Sequence, residues 1–295
     1  MNLWMKLQEQ EPLLEQLAKD HLSERVQQII VGHVGMKTKI AMWMDHMSKT
    51  FFLSKDLIEA FKYTDIPLDL RPADFDYPFE TFMIEGSIPL FETKISGELC
   101  PIHHLLYTSR AIVEKDPNAR LIDFNLKQHK RIEWDVSMTA FFQSDLFLEF
   151  MMIHFDKMQT IEETLKVERE DHYLIPLDAD DKRNMINLFY NTLLYINDRS
   201  RNRAETEEYR QRQFRHSKGG PFVSSDYIYL KPPLDHKSFY SGSSGRHIDK
   251  RFIIRGHWRN QAYGENYTKR RYIWIKPFTK GPMLAPVSNK AYVLS

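Results

Sequence analysis

In the stretch DKRFIIRGHWRNQAYG, Arg251, Arg255, His257 and Arg259 recur at odd-numbered positions. Alternate side chains of an extended strand share a face, so three guanidinium groups and an imidazole would stand in one row. The other row would hold Phe252, Ile254, Gly256 and Trp258, which is mainly apolar and suited to a core. Trp258 is thus expected to be an anchor rather than a reader. Gly256 would let another backbone or a ligand approach closely. A second strand, Arg270 to Lys276, can pair across the loop NQAYGENYT and add Arg271 or the Tyr272, Trp274 and Lys276 face.

Guanidinium groups neutralise phosphate, and aromatic rings or arginine planes stack on unpaired bases. RNA binding through Arg251, Arg255, His257, Arg259, Tyr263, Arg271, Trp274 and Lys276 is therefore one reading of this tail. A second is an internal or protein-facing network in which the arginines meet carboxylates. A third is metal-independent RNA cleavage, with His257 as general base and a neighbouring cation stabilising the phosphorane. His247 and His257 both qualify by type and His257 is the preferred catalytic candidate, although a histidine that donates hydrogen bonds inside a fold is the commoner case, so the residues argue against an enzyme more than for one.

Other chemistry-bearing residues carry less. His103 and His104 lie near Cys100, but no fourth ligand accompanies them and no metal is expected. Asp178, Asp180 and Asp181 precede an apolar run and suit helix capping and the helix dipole. Phosphate-binding loops, dinucleotide fingerprints, nucleophile elbows and zinc-protease helices are all absent from the sequence, so no cofactor is expected.

These residues sit in a chain of 295, 42% hydrophobic and 27% charged, ordinary for a globular protein. One cysteine excludes an internal disulfide. The acidic start MNLWMKLQEQEPLLEQ and the lack of a long apolar run predict a protein that neither enters nor crosses a membrane and works in the cytoplasm of a bacterial host cell. The net charge of +1 conceals a division: residues 199–295 carry 20 Lys/Arg against 7 Asp/Glu, and residues 1–198 carry 21 against 33. A basic end of +13 beside an acidic body of −12 predicts either an acidic partner or the body itself as the basic end's contact.

The hydrophobic pattern predicts an α+β fold with amino-terminal helices, a central and mainly antiparallel sheet, a helical layer and a basic β-rich carboxyl-terminal segment. Helical spacing runs from Leu3 to about Val31 and again from Met36 to Thr50, where MWMDHM reads as a methionine-filled core helix. Ser54 can cap a helix to about Tyr63. TFMIEG, PLFET, LLYTSRAIV, ARLIDFNL and RIEWDVSM read as strands within about 79–140, the last two joined by KQHK. Residues 144–158 and 160–170 read as helices, and Asp180 to Ile196 as a helix too apolar for a surface. The expected organisation is an acidic α+β domain over 1–198, a charged connector over 199–220, and a basic β-rich segment over 221–295 packed on the first.

RGHWRNQAYG followed by RRYIWIKPF resembles the carboxyl-terminal signature of a broad group of phage and plasmid proteins. It is similar to the tail of a type V-A anti-CRISPR family, whose members also place an apolar helix ahead of the tail, here Asn187 to Ile196. The resemblance implies a mobile-element protein that interferes with host defence, the family being understood to promote loss of a nuclease message through the nascent polypeptide. Joined to the cationic row, it leads to an expectation of an anti-CRISPR-like accessory protein that binds RNA or a ribonucleoprotein. A protein-only inhibitor that binds a host defence protein through Met-rich and aromatic surfaces is the alternative.

Overall fold

The computed structural model describes residues 9–12, 16, 33, 37, 39–44, 49–95, 98–115, 136–143, 148–166, 179–198, 203–214, 223–233 and 252–280. Its elements are β1 (Thr50–Leu53), α1 (Lys55–Lys62), β2 (Thr64–Asp65), β3 (Thr81–Gly86), β4 (Phe91–Ile95), β5 (Glu98–Ile102), β6 (His104–Ser109), α2 (Arg110–Lys115), β7 (Val136–Gln143) and β8 (Leu148–Phe155). There follow α3 (Ile161–Lys166), α4 (Ala179–Asn197), α5 (Arg203–Thr206), β9 (Glu207–Phe214), β10 (Val223–Leu230), β11 (Phe252–Ile254), β12 (Gly256–Tyr263), β13 (Lys269–Ile275) and β14 (Phe278–Lys280). The fold is α+β. ARLIDFNL, KQHK, Asp178 and most of Leu3 to Val31 lie outside the described residues.

Seven strands form the main sheet in the order β8-β7-β6-β3-β1-β10-β9. Only the β1 pairings with β3 and β10 are parallel. The remaining four are antiparallel, so the sheet is mainly so. Two of its strands come from beyond α4: β10 lies beside β1, and Glu207–Phe214, inside the charged stretch 199–220, pairs with β10 over eight residues.

Local chemistry explains the helix at the start of this region. Ser54 is in an extended conformation and its hydroxyl accepts from the Leu57 N–H at 3.3 Å, meeting one donor that the first turn leaves unpaired. Asp56 in the first turn and Lys62 in the last complement the helix dipole, while Leu57, Ile58 and Phe61 point inward. α4 has apolar residues around most of its circumference because it lies between two layers. Phe189 stacks on Phe82 of β3 and Tyr107 of β6, with ring centroids 6.2 and 5.8 Å away. From another side of α4, Tyr195 meets Phe61 of α1 edge to face at 5.8 Å. Asp181 in its first turn is buried, and its carboxylate accepts from the Thr93 hydroxyl on β4, so it ties the helix to a strand as well as facing the dipole.

Two expectations need correction. Residues 144–158 were expected as helix, but Leu148–Phe155 is strand. Met151, Ile153 and Phe155 are buried alternately along it, and pairing with β7 over eight residues satisfies its backbone. A strand whose neighbours cover both faces is apolar throughout, so its period does not separate it from a buried helix. In LLYTSRAIV, only Leu105 to Ser109 is strand, the end of β6, and the chain turns into α2 at Arg110, just after Ser109 pairs with Val136 of β7.

The sheet's second face is covered by helical residues 39–44. Ile40 and Trp43 pack on Met83, Leu106 and Phe141, with Met44 against the same cluster, and Met42 is buried against Ile112, so the described part of the methionine-rich run, Met42 to Met44, is core. Lys39 enters this apolar layer with no carboxylate of the described residues as its partner. Its ammonium donates to Ser137 Oγ at 2.8 Å and Thr139 Oγ1 at 2.9 Å, and lies against Met152 Sδ. Burial disfavours its charged form and lowers its pKa from 10.5 to about 7. Between those values the unfolded chain holds a proton that the folded chain lacks, so stability rises with pH across that window. Relative to Lys39→Met, the wild-type protein is expected to gain roughly 1.4 kcal/mol per pH unit from about pH 7 to 9 and nothing below pH 6. Urea denaturation of both proteins at a series of pH values measures this, and parallel stability profiles would refute it.

Candidate functional site

The tail is a hairpin set on the body by its buried row. β12 pairs antiparallel with β13 from His257↔Ile275 to Tyr263↔Lys269, and its first two residues pair parallel with Thr64 and Asp65 of β2. Gly256 makes the approach possible. Its N–H donates to the Tyr63 carbonyl at 2.7 Å, and a Cβ there would lie 2.4 Å from Thr64 Oγ1 and 2.7 Å from Pro277 Cδ. β11 and β12 are separate strands, broken at Arg255, and β11 pairs instead with β14.

Trp258 is 6% exposed, and its indole N–H donates to Asn191 Oδ1 of α4 at 2.7 Å. The Asn191 amide donates in turn to the Thr64 carbonyl at 3.2 Å and to Asn187 Oδ1 at 3.0 Å. Asn187 donates to the Phe61 carbonyl at 3.2 Å. Trp274, directly across from Trp258, stacks beside it at 6.3 Å and donates through its indole to Thr64 Oγ1 at 3.3 Å. The Trp274 ring also meets Phe61 and Tyr195 edge to face at 5.7 and 5.4 Å. Both tryptophans therefore face the body.

Opposite residues of an antiparallel pair lie on one side of the sheet. The outer face of the hairpin accordingly holds His257, Arg259, Gln261 and Tyr263 from β12 with Ile275, Ile273, Arg271 and Lys269 from β13. His257, Arg259 and Lys269 are exposed, and Arg271 lies over the Tyr263 ring with its guanidinium carbon 4.9 Å from the centroid. Arg270 belongs to the inner row but stands at the exposed tip. Among the described residues, no carboxylate lies within ion-pair distance of Arg259, Lys269, Arg270 or Arg271.

The other sequence candidates fall elsewhere. Arg255, at the strand break, forms an ion pair with Asp65 at 2.8 Å. Both side chains are well exposed, which limits the bond to about 1 kcal/mol or less. Lys276 follows β13 half-buried, and burial lowers its pKa. Arg251 lies outside the described residues. No hydrogen bond to a described residue orients the His257 ring, so the geometry supplies cations for an anion more directly than a positioned proton-transfer pair. His104 is buried beside Glu85, with Nε2 and Oε1 3.9 Å apart, and Tyr227 donates to the same carboxylate at 3.3 Å. No three His, Cys, Asp or Glu residues among those described converge to hold a metal ion. No described helix is long and apolar enough to cross a membrane.

Sequence reasoning did not single out Asn191, Thr64, Lys269 or Arg270. Asn191 did leave a signal, as an amide in the middle of NLFYNTLLYI, where a buried polar group needs partners.

A family model described as "AcrVA2-like: Anti-CRISPR type V subtype A2 family" matches residues 51–279, from β1 to β14. Among solved structures, the chain is similar to one described as "Crystal structure of AcrVA2", with 11% identity over 93% of this chain and 85% of that one and a TM-score of 0.43. No curated protein matches the chain.

Replacing either partner of the buried indole–amide bond strands the other. Trp258→Phe and Asn191→Leu are each expected to cost about 1–3 kcal/mol in chemical denaturation. The double variant is expected to cost less than the sum of the two. Strict additivity would show that the bond does not couple the hairpin to α4.

Proposed function

The chain belongs to the Anti-CRISPR type V subtype A2 family, and from that premise we propose that it acts against a host CRISPR defence by binding RNA, alone or within a ribonucleoprotein, along the outer face and over the tip of the β12–β13 hairpin. The observation that carries the reading is the set of exposed cations on a rigidly seated hairpin. Arg259, Lys269 and Arg270 meet no carboxylate among the described residues, while the tryptophans of the same strands are used to hold the hairpin in place.

Two features favour phosphate as the anion. Arg259 and Arg271 present planar guanidinium groups suited to paired phosphate oxygens. They share one face with Tyr263 and Lys269, so the cations form a row that can follow a phosphate backbone. The 199–295 segment is strongly basic, and within it Arg255 and Arg203 meet the carboxylates of Asp65 and Glu207, whereas Arg259, Lys269, Arg270 and Arg271 meet none among the described residues. This reading keeps Arg255 and His257 at the border of the interface, where β2 begins, and makes the protein a phage or plasmid accessory factor of the host cytoplasm.

Binding of a short labelled single-stranded RNA across a salt titration tests it. Each neutralised phosphate contributes a slope of about −0.7 in log K against log salt, so three contacts predict a slope of roughly −2. The paired variant Arg259→Gln/Lys269→Gln is expected to lower the slope magnitude by roughly 1.4 and to weaken CRISPR inhibition in cells. No binding at low salt, or a flat salt dependence, would overturn the proposal.

A further inference from the structure

The hairpin turns through Gly264, Glu265, Asn266, Tyr267 and Thr268, and its backbone there is unusual. Gly264 has φ 78°, which glycine adopts without strain. Asn266 and Tyr267 follow with φ 53° and 54°, two successive non-glycine residues in the left-handed region. Asparagine tolerates that conformation, but for a tyrosine it costs about 1 kcal/mol or more. The turn's internal bonds, Tyr267 N–H to the Gly264 carbonyl at 3.2 Å and Thr268 N–H to the Glu265 carbonyl at 3.4 Å, are made by the backbone and would form with any residue at 267.

No contact of the side chain with a described residue recovers that cost. The Tyr267 side chain is 73% exposed, and neither its ring nor its hydroxyl contacts a described partner. A glycine or asparagine would make the same turn more cheaply. The turn thus presents an exposed aromatic ring two and three residues ahead of the exposed Lys269 and Arg270.

The other aromatic candidates on the hairpin are committed. Trp258 and Trp274 face α4 and α1, and Tyr263 has Arg271 over its ring. We infer that Tyr267 is the platform on which an unpaired base of a bound single-stranded RNA stacks, with Lys269 and Arg270 holding the adjoining phosphates. The inference rests on the RNA-binding reading above and goes beyond it, because cations alone serve a duplex as well as a single strand, whereas a projecting ring can stack only on a base that is not already stacked in a helix.

The test uses the full chain with two probes, a labelled 12-nucleotide single-stranded RNA and an RNA duplex of the same length, at one low salt concentration. Tyr267→Gly removes the ring and relieves the backbone. It is expected to keep the wild-type melting temperature or raise it, to bind the single strand roughly 5- to 150-fold more weakly and to bind the duplex as the wild type does. Tyr267→Phe is expected to stay within about twofold of wild type on both probes. The inference is overturned if Tyr267→Gly binds the single strand as tightly as wild type, or if both probes weaken equally. It is also overturned if Tyr267→Gly loses CRISPR inhibition in cells at unchanged RNA affinity, which would assign the ring to a protein partner. Failure of the wild-type chain to bind either probe removes the RNA reading itself, whereas binding that is insensitive to position 267 removes only the stacking role.

Discussion

Asn191 carries a side-chain amide into the apolar centre of the protein, where each polar atom it leaves unmet costs about 1–3 kcal/mol. Its oxygen is met by the Trp258 indole at 2.7 Å, and its nitrogen by the Thr64 carbonyl and by Asn187. These bonds join α4, the stub of β2 and the carboxyl-terminal hairpin at one point. An apolar contact would tolerate sliding by a residue. A directional bond from one indole to one amide fixes which residue of β12 lies over which turn of α4, and strand alternation then decides the facing of every other hairpin side chain. The exposure of Arg259 and the placing of Arg271 over Tyr263 both follow from it.

The hairpin divides the work of its residue types between its two faces. Trp258 and Trp274 are spent on attachment, and the phenol of Tyr272 has its pKa raised by burial and by Asp69 and Asp74, which places the inner row near acidic groups of the body. Arg255 meets Asp65. Part of the basic tail is therefore balanced by the acidic body, but the balance is reached at the root of the hairpin and not along its outer face. The result is a cationic surface held in position by neutral and aromatic contacts, which do not weaken as salt rises and do not compete with an anionic ligand.

The main sheet shows how far local pattern carries. Ser54 and the 3.6-residue spacing of Leu57, Ile58 and Phe61 define α1 without outside help, and the apolar circumference of α4 already places it in the core. β8 is different. Its residues are mainly apolar on both sides, with Glu149 and His154 the exceptions, so neither period stands out and pairing with β7 makes it a strand. Glu207–Phe214 is the converse case, a polar run that becomes an edge strand because β10 offers it a ladder of backbone partners. Lys39 follows the same logic, since a lysine in a helix next to MWMD reads as a solvated residue until Ser137 and Thr139 are found beneath it.

From the sequence alone follow the α+β class, the capped and buried helices, and the split of RGHWR into an anchoring tryptophan and a cationic remainder, because each depends on spacing along one stretch of chain. The tertiary structure decided what the cations meet. It gave Arg255 to Asp65, turned Trp274 inward, left Arg259, Lys269 and Arg270 facing solvent, and raised Tyr267 on a left-handed turn. Except for the turn, which is local, those outcomes depend on residues some 70 to 210 positions apart being brought within bonding distance, and no periodicity in a single strand encodes its distant partner.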